Sequence, residues 1–131
     1  MAVPQIGSIG EQLDILIRQG ANFGPYSVGL YQDAAKTQPI NLTGAQFRAQ
    51  IRKKALDTAV TIAITCTITD AVNGKFTFGL TSTQTAVIKA GESIKDGASL
   101  YVWDMEWQDS AGKVFPLYYG QATVFREVTR A

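Results

Sequence analysis

Histidine is absent from the 131 residues, and there is a single cysteine, Cys66. The first absence removes the commonest general base, the serine and cysteine triads that rely on an imidazole, and most zinc sites. The second excludes an intrachain disulfide and any metal site built from several thiolates. Net charge is small as well: twelve Lys and Arg against eleven Asp and Glu leave +1. Nucleic-acid binders carry a basic surplus that displaces phosphate counterions. Here the densest cationic cluster, Arg48, Arg52, Lys53 and Lys54, reads as a solvated strand end. No apolar run approaches the ~20 residues of a membrane helix. Residues 1–7 lack the cationic start and apolar stretch of a secretory leader. The expectation is a chain made in a cytoplasm, with no membrane insertion and no specific nucleic acid, which leaves only inside a larger particle.

What is present is an ordinary globular balance, 46% hydrophobic and 18% charged, in a chain of one-domain length. Residues 1–12 are rich in Gly, Pro, Ser and Gln and read as a flexible arm; residues 13–131 form the domain. From Leu13 the pattern has period two. Leu13, Ile15 and Ile17 share a face, and Tyr26, Val28 and Leu30 share the next. Phe47, Ala49 and Ile51 face inward while Gln46, Arg48, Gln50 and Arg52 face water. Between Thr61 and Thr69, Ile62, Ile64, Cys66 and Ile68 alternate with threonines, and β-branching on both faces suits a pleated sheet. Cys66 is thereby placed as a small core residue, not a nucleophile. Asn73-Gly74 marks a hairpin into Phe76, Phe78 and Leu80. Thr81-Ser82-Thr83-Gln84 is a capping box that opens one short helix near 82–89, stopped by Gly91. Tyr101, Trp103, Met105 and Trp107 then share a face opposite Asp104, Glu106 and Gln108, and two further strands follow. About eight short strands separated by turns predict an all-β fold, a single antiparallel β-sandwich.

Candidate chemistry is sparse. Asp104 and Glu106 lie two positions apart on a strand face, about 7 Å along it, a spacing at which carboxylate pairs hydrolyse glycosides. Together with Glu127 they are the carboxylates that the pattern allows to converge. Alternating acids are also the normal solvent face of a sandwich, and Arg126 or Lys113 could pair with them. The segment 70–74 offers two side-chain oxygen donors, too few for a calcium loop. No catalytic, metal-ligating or cofactor-binding residue is assigned, and the chain is expected not to be an enzyme. Tyr118 and Tyr119 are adjacent, so one must face outward, where it can anchor an interface.

Several segments together carry a resemblance. They are Ile17-Arg18-Gln19-Gly20-Ala21-Asn22-Phe23, Ile40-Asn41-Leu42-Thr43-Gly44, Phe47-Arg48-Ala49-Gln50-Ile51-Arg52-Lys53, Trp103-Asp104-Met105-Glu106-Trp107, Leu117-Tyr118-Tyr119-Gly120 and Glu127-Val128-Thr129-Arg130. Over most of residues 13–130 the chain resembles small structural proteins of tailed bacteriophages with immunoglobulin-like β-sandwich domains, found in baseplates, tail fibres and accessory positions. The resemblance implies an immunoglobulin-like sandwich, no catalytic residues and a place in the virion tail or baseplate. Its partners would be other tail or baseplate proteins and copies of itself in a symmetric assembly. Interface candidates are Pro4, Ile6 and Ile9 in the arm, with Tyr31, Arg48, Arg52, Tyr118 and Tyr119. A head decoration or neck protein is the nearest alternative. From another class, a carbohydrate-binding module would present Tyr31, Trp103 or Trp107. The arm over 1–12 is expected to give sharp NMR signals in the free protein and to become ordered in the assembly; dispersed, protected signals in the free monomer would contradict that.

Overall fold

The computed structural model describes residues 9–33, 35–90 and 98–128. Its strands are β1 (Glu11–Gln12), β2 (Ile15–Arg18), β3 (Phe23–Gly29), β4 (Gln46–Arg52), β5 (Ile62–Asp70), β6 (Lys75–Leu80), β7 (Ala98–Gln108) and β8 (Val114–Phe125), with one helix, α1 (Ser82–Ala86), between β6 and β7. The all-β expectation holds, and the strands join one eight-stranded sheet in the order β1–β8–β7–β4–β5–β6–β3, with β2 also on β8.

Two features depart from a plain antiparallel sandwich. The ladder is continuous, because β5 bonds to β4 through Ile62–Ile64 and to β6 through Thr65–Asp70. A strand with β-branched residues on both faces can stay extended while it passes from one pairing to the other, so the sheet curls on itself. In addition, β1 and β2 run parallel to β8. Hairpins force neighbours in sequence to be antiparallel. The first and last strands are joined by the whole domain, so nothing imposes that direction on them.

The core fills the inside of the curl. Phe76 and Phe78 of β6 meet the opposite wall: Phe47 and Phe76 stack with ring centroids 4.1 Å apart, and Phe78 and Trp103 at 6.3 Å. Ile17, Ile51, Met105, Ala122 and Val124 are fully buried beside them. Each such side chain contributes about 1.5–3 kcal/mol on burial. The alternations read from Phe47, Phe76 and Tyr101 onward therefore place their apolar members inside. Cys66 is half-buried, and desolvation pushes its thiol up to about 11, so it stays protonated and unreactive at neutral pH.

Helix α1 is shorter than the span 82–89 and closes at Val87, ahead of Gly91, which lies outside the described residues. Its capping box is formed: the Gln84 amide donates to Thr81 Oγ1 at 3.2 Å, and the Thr81 amide to Gln84 Oε1 at 2.8 Å. The buried Thr85 hydroxyl donates to the Ala21 carbonyl at 2.8 Å, which ties the turn to the β2–β3 connection. Of the arm at 1–12, residues 1–8 lie outside the described residues. Glu11 and Gln12 pair with Tyr118 and Tyr119, so sheet pairing begins two positions before residue 13.

Phe78 is 4% exposed and touches Phe23, Tyr26, Phe76 and Trp103. Phe78→Ala should destabilise the fold by about 3–5 kcal/mol, measured as a shift of the urea unfolding midpoint; a loss within experimental error would remove Phe78 from the centre of the core.

Candidate functional site

The outer face of the sheet can be read directly from its registers. Gln50, Asp104, Tyr119 and Gln12 form one row across β4, β7, β8 and β1. Arg52, Val102 and Gln121 form the next, closed by Asp14, whose Oδ1 accepts from the Gln121 amide at 2.9 Å. On the other side lies Arg48 opposite Glu106. These rows line a groove of about 610 Å³ in which Gln12, Asp14, Gln50, Arg52, Asp104, Tyr119 and Gln121 stand beside apolar surface that includes Ala55, Val102 and Trp103; a smaller recess of about 170 Å³ continues it at Arg48 and Glu106.

A bulge decides which tyrosine faces it. Tyr118 pairs with Met105 but Pro116 with Glu106, so Leu117 is an extra residue in β8. Tyr118 consequently turns inward and stacks on Trp103 at 6.2 Å, while Tyr119 joins the outer row. The Trp103 indole N–H reaches under β8 to the Leu13 carbonyl at 2.7 Å. Only glycine fits at position 120 above this crossing, because a Cβ would collide with the Leu13 carbonyl and with Asp14 Oδ1.

The charged groups are arranged with little freedom. Arg52 Nη1 donates to the carbonyls of Asp57 and Thr58 at 2.7 and 2.9 Å, and Nη2 to Gln50 Oε1 at 2.9 Å. Arg48 and Glu106 form an exposed ion pair at 2.9 Å, a type worth up to about 1 kcal/mol. Partial desolvation first, and the Glu106 carboxylate next to it, raise the Asp104 carboxyl above its ordinary value, with Arg52 acting in the opposite sense. Glu127 does not join this pair. It sits beyond the end of β8, its amide donating to Gln19 Oε1 at 3.1 Å and its carboxylate over Gly20.

Beyond the Arg52 row the same face becomes apolar. Leu16, Thr123 and Leu100 form one row, and Arg18, Phe125 and Ala98 the next. Leu16 is 66% exposed, Leu100 63% and Phe125 41%. Alternation alone did not single out this patch, because Leu16, Leu100 and Phe125 come from three strands: the β7–β8 pairing brings Leu100 near Phe125, and only the parallel pairing of β2 with β8 adds Leu16.

Of the interface candidates, Pro4 and Ile6 lie outside the described residues. Ile9 is exposed; Tyr31 bridges to Pro39, with its ring over Gly29. Arg52 and Tyr119 line the groove and Arg48 its smaller continuation, whereas Tyr118 packs inward against Trp103. Trp103 and Trp107 are 3% and 9% exposed and cannot serve as a sugar platform. No helix among the described residues is long and apolar enough to cross a membrane. No family model matches the chain, and no curated protein matches its sequence.

The raised carboxyl of Asp104 sets a pH dependence. The folded state binds the Asp104 proton more tightly than the unfolded chain does. The stability this confers is complete below the ordinary value of 3.8 and is lost as pH rises through the folded value. Asp104→Asn should therefore be more stable than the parent at neutral pH, with the difference vanishing below pH 3.8 in thermal unfolding; a destabilised variant at neutral pH would contradict the assignment.

Proposed function

We propose that the chain is a structural protein of a tailed-bacteriophage virion, a tail or baseplate component that bridges neighbouring tail proteins and has no catalytic role. The observation that carries the reading is the apolar patch of Leu16, Leu100 and Phe125 on the outer sheet face. Exposed apolar surface of this kind marks a protein-binding site, and here it lies beside the edge strand β2. The occupant is a neighbouring tail protein with an apolar surface. Arm, loops and the edge strands would extend the contact, because pairing an open edge with a partner removes its tendency to aggregate. A net charge of +1 allows close packing without long-range repulsion.

The strand order supports the immunoglobulin-like form of the fold. One layer would be β1 and β2, β8, β7 and β4, the other β6 and β3 with the second half of β5. A first strand parallel to the last, and a middle strand shared between layers, are compatible with that architecture. The chain departs from the antibody pattern in having one cysteine, so no intrachain disulfide can join its layers.

Mass spectrometry of purified source particles, separated into heads and tails, tests the location: the chain is expected in the tail fraction. Recovery with heads alone would move it to a decoration or neck position, and absence from both would remove the virion reading. Leu100→Glu should fold normally and fail to incorporate into tails; incorporation at the parent level would clear the patch of the bridging role.

A further inference from the structure

We propose that the groove across β4, β7, β8 and β1, where polar side chains stand on a partly apolar lining, binds a neutral oligosaccharide, an uncharged chain of hydroxyl-bearing rings. This proposal does not depend on the virion reading.

The argument begins with the side chains the registers bring together. Gln12, Gln50 and Gln121 supply amides that both donate and accept. Asp14 and Asp104 supply carboxylate acceptors, and Arg52 a guanidinium. Vicinal hydroxyls, each a donor and an acceptor, are the groups that such a mixed set satisfies in pairs. Tyr119 adds a ring with an apolar body and a polar tip, suited to the alternating C–H and O–H surface of a sugar.

Other ligand classes fit less well. The two carboxylates and one guanidinium do not favour a polyanion, and Arg52 already spends three donor contacts on Asp57, Thr58 and Gln50. Among the described residues no group of three or more acidic or cysteine side chains converges on a cation. A buried apolar ligand needs an enclosed cavity, whereas this groove is partly open to solvent.

The lining is held before any ligand arrives. Arg52 is fixed by two backbone carbonyls, Asp14 by the Gln121 amide, and the floor by the Trp103–Leu13 bond and the Tyr118 stack. Side chains already ordered lose little freedom on binding. The Asp104 carboxylate accepts no hydrogen bond among the described residues, so its oxygens are available to hydroxyl donors. The groove crosses three interstrand spacings of ~4.8 Å, about 14 Å in all. That span suits a short oligosaccharide.

The test is an NMR titration of the full chain with neutral oligosaccharides built from glucose, galactose, mannose or N-acetylglucosamine. At least one should give saturable shifts confined to residues 12–14, 50–52, 102–104 and 119–121, with a dissociation constant of about 1 mM or tighter. Tyr119→Ala and Asp104→Asn should each weaken binding tenfold or more with the parent's spectral dispersion retained, and Tyr119→Phe should preserve it. Three results would overturn the proposal: no saturable shift with any sugar, shifts that map elsewhere, or binding unchanged in both weakened variants. Heparin or a glutamine-rich peptide occupying the groove where the neutral sugars do not would overturn it as well. Sugar binding and presence in particles are measured independently, so either reading can fail while the other stands.

Discussion

The aromatic stack inside the curl is the interaction on which the rest of this molecule depends. Phe47 lies on Phe76, Phe78 on Trp103, and Trp103 on Tyr118, so a single run of rings joins β6 to β4, β7 and β8. A sheet that hydrogen-bonds continuously from β1 to β3 has no separate second layer to pack against. It can bury a core only by bending until its two halves face each other, and rings of this size fill the space between them. With the disulfide route closed by a single cysteine, this packing holds the halves together.

The same stack shapes the outer surface. Trp103 lies inside, yet its N–H bonds to the Leu13 carbonyl and so helps hold the β1–β2 segment against β8. That contact needs the close approach that Gly120 permits. The bulge at Leu117 then divides the tyrosine pair, Tyr118 for the core and Tyr119 for the groove. Inner packing and outer chemistry are coupled through three adjacent positions, Tyr118, Tyr119 and Gly120. A change that removed the bulge would slip one side of β8 by a residue and turn every side chain of that stretch to the opposite face, because side chains alternate along a strand.

Much of the fold was legible in the residues. Alternation at Phe47–Ile51, Phe76–Leu80 and Tyr101–Trp107 placed the core correctly, since a half-buried strand must put apolar side chains on one face. Thr81 and Gln84 announced the helix start because a capping box is a local motif. The helix ends earlier than Gly91 as a stop signal implied: it closes at Val87, where the chain turns to bury Ile88. The site was less legible. Arg48, Arg52 and Tyr119 were singled out as interface candidates, and Asp104 and Glu106 as a carboxylate pair, but nothing local joined them to Gln12, Asp14 or Gln121. The tryptophans considered as an exposed platform are core, as their alternation with acids on a half-buried strand already favoured.

What the sequence by itself determined was the class of structure and the excluded chemistry. Without histidine and with one cysteine, whole families of active site are impossible whatever the fold, and period-two patterning enforces strands through local sterics and burial. Only the tertiary structure decided that β1 and β2 lie parallel to β8, that β5 divides its hydrogen bonds between two neighbours, and that polar and apolar rows share one outer face. Those outcomes join residues separated by most of the chain, such as Asp14 with Gln121 and Leu16 with Leu100. Pairing between distant strands is set by how the core closes around its rings, and no local pattern of side chains encodes it.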